Sequence, residues 1–392
     1  MSTRLLSGPF ARVTAANFFF FLNFASFFLL PLYVKALGGS EATVGAVMGT
    51  QGVATLVVLP VIGMALDRFG RRRFFAVGTI GMSVAALGYL YIDAIGPALY
   101  GLRVVQGVSF AAAFTASTTL AAELAPQSRR AEALGVFGVS TLLTHALAPT
   151  MGEELIHRAG FSALFVVAAT CTAVPLLLLS GVPRREPGSL AARPTRWRVS
   201  RMQWVLIATM TLSGMGFGAV MTFIPTFVHA VGLGRVAFFY GAYTTAAILT
   251  RLVGGGLSDS LGRRAVVLPT LLLLATSIVG LALVRSVPVL MLAGALFGAA
   301  QGVSYPTLHA FLVDLTANEH LGRAQALFNG AFNLGVMSSA FVFGVVADHL
   351  GHRPMFALAA LTPLMACVLF YILGDERERS AINTTPEARL AG

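Results

Sequence analysis

"GMALDRFGRRR", residues 63–73, places five charges in eleven positions of a chain in which only 11% of residues are charged. At an offset of 192 the pattern returns as "GGGLSDSLGRR", 254–264. Gly63, Asp67, Gly70, Arg71 and Arg72 then superimpose on Gly255, Asp259, Gly262, Arg263 and Arg264. A second echo, Gln-Gly at 106–107 and at 301–302, needs an offset of 195. Near-constant offsets over several elements are what an internal duplication produces.

The sequence around these charged islands is apolar. Of 392 residues 56% are hydrophobic, with 16 acids and 27 bases, and the mean hydropathy is +0.80. A soluble chain of this length needs a more strongly charged surface. The apolar residues come in runs of about 20, enough to cross a hydrocarbon core of about 30 Å. Twelve candidate spans follow: 12–34, 42–66, 73–92, 97–122, 131–153, 160–182, then 202–229, 236–258, 264–285, 287–312, 324–347 and 354–374. The fold class expected is an all-α membrane protein of two pseudo-symmetric six-helix bundles. The bundles are 1–182 and 202–376, joined by a basic linker, 183–201, with a tail at 377–392. The amino-terminal run has no small-residue cleavage site and is too long for a signal segment, so it reads as a retained span.

The net charge of +11 is no nucleic-acid patch, because the bases cluster in short segments between apolar runs. With the amino terminus inside, inner segments hold 20 of the 27 Arg and Lys and outer ones five (Lys35, Arg158, Arg235, Arg285 and Arg353), while Arg103 and Arg251 fall within spans. Positive residues stay inside, which predicts cytoplasmic termini and linker. Cys171 and Cys367 sit in apolar runs and read as small buried hydrophobes.

The Gly-x-x-x-Asp-Arg-x-Gly-Arg-Arg pattern between spans 2 and 3, with Arg68 in its second charged place, resembles the signature of the major facilitator superfamily of secondary transporters. "LYGLRVVQGVSFAAA", 99–113, is similar to the family's Arg-x-x-Gln-Gly element through Arg103, Gln106 and Gly107. "ALAPTMGEEL", 146–155, is similar to the Gly-Pro-x-x-Gly motif of exporters through Pro149 and Gly152, with Ala148 in place of the first glycine. The stretches 32–49 and 322–351 look most like bacterial drug- and sugar-efflux-type members, a set whose similar sequences include importers.

The resemblance implies a cytoplasmic gate. Gly63 and Gly255 are expected where spans 2 and 11, or 8 and 5, cross closely. Asp67 and Asp259 would face helix ends carrying partial positive charge. Arg71 or Arg72 would reach Glu123, and Arg263 or Arg264 would reach Asp314, as contacts of a shut inner mouth.

An ionisable group at membrane depth costs about 2.5–3.5 kcal/mol on insertion scales, so each needs a role. Arg103 shares a helix face with Gln106, which points to coupling or substrate binding, with snorkelling as the alternative. Arg251 lies eight residues before Asp259 and could serve the cavity or pair with a carboxylate at the inner rim. His309 follows Gln301 and Tyr305 at four-residue steps on span 10, and His145 lies on span 5. Either histidine could carry protons or be a neutral packing group. Asn17, Phe21 and Asn23 of span 1, Met215 of span 7, and Asn329 and Asn333 of span 11 complete the expected cavity where spans 1, 4, 7 and 10 meet. No Asp or Glu lies deep in a span, which disfavours a cationic substrate.

The function expected is secondary active transport of a small amphipathic neutral, zwitterionic or anionic molecule across a bacterial inner membrane. Protons are the expected coupling ion, efflux the expected direction and a monomer the expected unit. The alternatives are a proton-coupled importer of a nutrient or metal chelate and, more remotely, a sensor. No nucleotide loop, metal-ligand spacing or nucleophile–base pair argues for an enzyme, and no cofactor, bound metal or nucleic acid is expected.

Overall fold

A helix that must reverse within one residue needs a positive φ, which glycine adopts without strain. Gly70 and Gly262, with φ of 91° and 89°, each end one helix and start the next. Gly160 and Gly351, with φ of 77° and 83°, form a second such pair at an offset of 191. The duplication visible in the charged motif is therefore repeated in the backbone of the turns.

The computed structural model describes residues 8–126, 129–182, 198–317 and 320–374, without the side chains of 67, 131, 253–257 and 259. Span 1 is Gly8–Ser26, continued by a 3-10 turn at Phe27–Leu29 and by Leu30–Ala36, with Pro31 in the first turn of the latter. Spans 2, 3 and 4 are Glu41–Phe69, Arg71–Gly88 and Pro97–Leu124. Gly160 divides the helix Arg130–Cys171 into span 5 and the start of span 6, which Ala173–Ser180 extends. Spans 7 to 11 are Arg201–Ala230, Ala237–Leu261, Arg263–Ala282, Val287–Asp314 and Leu321–Leu350. Span 12 is His352–Ala359 with Leu361–Leu373. Among the described residues, ten stretches are long and apolar enough to cross a membrane, one of them the 49-residue Glu132–Ser180. Divided at Gly160, and with Ala237–Leu261 added, these helices are consistent with twelve crossings.

Side chains such as Val57, Leu177, Leu252 and Ile372 are 68% to 73% exposed on the flanks. In water such a surface would drive aggregation, whereas in a bilayer it meets acyl chains. Below it, span 2 packs on span 4, span 3 on span 4, and span 1 on span 5. In the second half span 8 packs on span 10, span 7 on span 11, and span 9 on span 10. The two groups meet along two seams, span 2 against span 11 and span 5 against span 8.

Gly70, Gly262 and the helix ends at Leu124 and Asp314 share one face, here the basic face, and the other is the far face. The apolar core differs between them. Toward the far face one cluster runs through both halves, from Leu29, Val44 and Phe165 to Phe227, Phe239 and Phe343. Toward the basic face the described side chains form separate clusters. Phe10, Phe20, Phe75 and Leu120 belong to a cluster of the first half, and Met202, Leu271, Phe311 and Phe370 to a separate one of the second.

Candidate functional site

Three glycines set the closeness of the seam between spans 2 and 11. A Cβ on Gly45 would strike the Ala340 carbonyl and lie 3.1 Å from Gly344 Cα. One on Gly49 would lie 2.5 Å from the Phe341 ring, and one on Gly52 would lie 2.8 Å from Met337 Cβ. Nearer the basic face the expected crossing at Gly63 differs, since a Cβ there would meet nothing within 4 Å. The close approach lies at the far-face end of span 2, where the continuous core holds the halves together.

Between described residues, the hydrogen bonds and ion pairs that join the halves also lie at the far face. Glu41, at the start of span 2, accepts a hydrogen bond from Thr226 Oγ1 at 3.0 Å and lies 3.4 Å from His352 Nε2. Lys35 Nζ is 3.3 Å away, and the Glu41 backbone N–H donates to Asp348 Oδ1 at 3.1 Å. At the second seam Glu153 accepts the backbone N–H groups of Val236 and Ala237, at 3.0 and 3.1 Å, and so caps span 8 from the other half. Arg235 reaches Glu154 at 2.8 Å.

Below this closure lies an aromatic roof. Phe28 of span 1 meets the His145 ring of span 5 at 5.1 Å and stacks on Tyr240 of span 8 at 5.8 Å. His145 also stacks on Tyr243 at 6.3 Å. Its Nδ1 and Gln301 Nε2 are buried without hydrogen-bond partners. Toward the basic face, Tyr305 donates to Asn329 Oδ1 at 2.7 Å, and Asn333 donates to the Asn329 carbonyl at 2.8 Å. The His309 ring lies 5.6 Å from Phe328. Arg251 stands among these groups, its charge acting on Tyr243, Tyr305 and His309. Gln301, Tyr305, His309, Arg251 and His145 are all half-buried. Met215, also half-buried, packs at the edge of the continuous core.

Other residues expected in the cavity are placed elsewhere. Asn17 is fully buried and ties span 1 to its neighbours, donating to Thr141 Oγ1 at 2.8 Å and accepting from Ser117 Oγ at 2.9 Å. Asn23 donates to the Ala168 carbonyl of span 6 at 2.7 Å. Phe21 packs within the first half against Phe110 and Phe114. Arg103 is fully buried, donating to the Val47 carbonyl at 3.1 Å and to Gln106 Oε1 at 2.8 Å, an oxygen that also accepts Tyr89 OH at 2.8 Å. It thereby joins spans 2, 3 and 4. Gly107 allows this, since a Cβ there would lie 2.7 Å from Ala54 Cβ. Pro149 is buried within an unbroken helix, and Gly152 lets span 5 approach Leu29 and Leu164.

At the basic face Arg71 Nε pairs with Glu123 at 2.8 Å and Arg263 Nε with Asp314 at 3.1 Å. Arg72 donates to the Val182 carbonyl and Arg264 to the Tyr371 carbonyl. Between described residues, each of these bonds stays inside one half. Arg68 is exposed beside the Phe69 ring. The gate positions Asp67, Gly255 and Asp259, most of the linker (183–197) and the tail from 375 lie outside the described residues or side chains. The Glu41 and Glu153 clusters escaped the sequence reading because most of their partners lie in the other half, Asp348 at 307 and Val236 at 83 positions away, without a motif.

A family model described as the Major Facilitator Superfamily matches residues 13–259 and 234–391. The MFS-type transporter YhhS of Escherichia coli strain K12 is 26% identical over 370 residues, which cover 90% of either chain. A multi-drug resistance efflux pump PmrA homolog of Lactococcus lactis is 23% identical over 342 residues, covering 83% of this chain and 84% of its own. Among solved structures, a bacterial homolog of the human lysosomal transporter Spinster, in an inward-facing and occupied conformation, superimposes with a TM-score of 0.77. At 15% identity, over 93% of this chain and 96% of that one, the likeness is one of fold. The chain belongs to the major facilitator superfamily, as a multi-pass secondary transporter that sits in a lipid bilayer and binds a small-molecule substrate.

Proposed function

We propose that the chain exports a small amphipathic molecule from the cytoplasm of a bacterium, in exchange for protons, by alternating access between two bodies, residues 1–182 and 202–376. The observation that carries this reading is the division of the core, continuous across the halves at the far face and split in two at the basic face. Apolar burial of about 25 cal/mol per Å² holds the halves where they share a core, and no such term acts where each has its own. The cleft therefore opens toward the basic loops, which the positive-inside rule assigns to the cytoplasm together with both termini.

The structure is in this reading an inward-facing state of a monomer in the inner membrane. Transport requires the far-face seam to part while the basic-face ends close. The Pro149–Gly152 element and the efflux activity named for the Lactococcus relative support the direction. His145 and His309, both beside the cleft, are the titratable groups placed to couple protons to the change.

Reconstitution into proteoliposomes with an imposed pH gradient tests the reading. A mixed panel of radiolabelled organic acids, amides and amines is offered from the side matching the basic face. Accumulation against a gradient that a protonophore collapses is expected. Accumulation indifferent to the pH gradient would refute coupling, and movement only toward the basic face would refute export.

A further inference from the structure

Two arginines lie at membrane depth, and the fold uses them differently. The guanidinium of Arg103 is fully buried and bonds inside the first half, to Val47 O and Gln106 Oε1. Arg251 lies ten residues before the end of span 8, about 15 Å along the helix. It is half-buried and makes no hydrogen bond or ion pair with the described residues. Its fork lies flat over Gly138 of span 5. Cζ, Nη2 and Nη1 are 3.6, 3.7 and 3.8 Å from where a Cβ on that glycine would stand. The side chain thus crosses the cleft, from one half to the bare backbone of the other.

A half-buried cation at membrane depth, with five donors and no acceptor among the described residues, is out of balance unless an anion visits it. The groups facing it are Tyr243, Tyr305 and His309, and none carries a negative charge at neutral pH. Close by, His145 Nδ1 and Gln301 Nε2 are buried without partners, two further polar groups aimed at nothing in the protein. The half-buried rings of Tyr305, Phe332 and Phe217, in contact with one another, supply apolar surface beside them.

We propose that Arg251 recognises the charge of the transported molecule, and that this molecule is an organic anion with a carboxylate on an aromatic or apolar body. The planar fork pairs with a carboxylate through two parallel bonds, which a phenol or an amide cannot match. His145 and Gln301 serve a second polar group, and the rings hold the body. A carboxylate seated on Arg251 above Gly138 touches both halves at once, so its binding bears directly on the seam that must move. An acid of the protein at this depth would occupy the guanidinium itself, which accounts for the absence of one from the spans.

This inference rests on the transport reading above, and the test separates the two. The full chain in detergent micelles or nanodiscs is titrated with phenylacetate, phenylacetamide and phenethylammonium, which share a body and differ in charge. Thermal stabilisation and, in proteoliposomes, counterflow are read. Wild type is expected to bind phenylacetate at least tenfold more tightly than the other two. Arg251→Gln is expected to lose that preference while keeping the weak binding of the amide, and Arg251→Lys to keep part of it. Should Arg251→Gln fail to fold, the preference of the wild type among the three probes decides. Equal binding of all three, or a preference for the ammonium, overturns the proposal and leaves the transport reading standing. No counterflow of any probe or of the mixed panel would instead count against transport itself.

Discussion

Replacing Glu41 by Gln removes one negative charge from the far-face closure and leaves its size unchanged. The carboxylate is 6% exposed and faces Thr226 Oγ1 at 3.0 Å, Lys35 Nζ at 3.3 Å and His352 Nε2 at 3.4 Å. A glutamine oxygen still accepts from Thr226, so the loss is the ionic part. Hydrogen bonds to charged groups contribute about 1.5–3 kcal/mol, and the half-exposed Lys35 deserves a discount for solvent screening. A net loss of about 2 kcal/mol from the far-face-closed state follows, an increase of about 30-fold in the population with that face open. The readout is the reaction rate of a cysteine at Val44, a fully buried position one turn into span 2, with Cys171 and Cys367 replaced. A membrane-impermeant thiol reagent added from the far face should react about ten- to thirtyfold faster in Glu41→Gln. An unchanged rate would refute the claim that this cluster holds the face shut.

Three further outcomes follow from the packing. Gly45→Val forces a side chain into the Ala340 carbonyl, which cannot yield, so spin labels at Ala36 and Leu350 should report a longer distance across the far face; an unchanged distance would mean that span 11 slides without parting the seam. Asn17→Val breaks two interhelical hydrogen bonds while Ser117 and Thr141 keep their bonds to the Phe114 and Phe137 carbonyls, a cost of about 1–3 kcal/mol visible as a lower melting temperature in detergent, with the phenylacetate affinity unaltered. Arg103→Lys cannot hold Val47 O and Gln106 Oε1 with one fork and should destabilise the protein by a similar amount. If Arg103→Lys instead left the melting temperature intact and abolished binding, Arg103 would belong to the substrate.

The spans, the duplication and the reversals at Gly70 and Gly262 were legible because each is written locally, in apolar runs and in a charged motif repeated at 192 positions. The matching reversals at Gly160 and Gly351 carry the same offset within one residue, but their flanks lack the charges that would draw the eye. Helix periodicity placed Asn17 on a face of span 1 without saying which neighbour that face meets, and the partner proved to be spans 4 and 5. Gly63 stood out through the motif, yet Gly45, Gly49 and Gly52 make the close approach, because the halves touch at one end of span 2 only. The Glu41 cluster draws on residues from 35 to 352 and exists only once four elements have assembled.

The central claim is that the halves rock about the cleft, with the far face closed in this structure and the basic face parted. Pulsed electron spin resonance on two label pairs tests it directly. Ala36 with Leu350 spans the far face, and Arg68 with Arg323 spans the basic-face ends of spans 2 and 11. In proteoliposomes, reversing the pH gradient should lengthen the first distance while it shortens the second. Distances that stay fixed, or that lengthen and shorten together, would contradict the account.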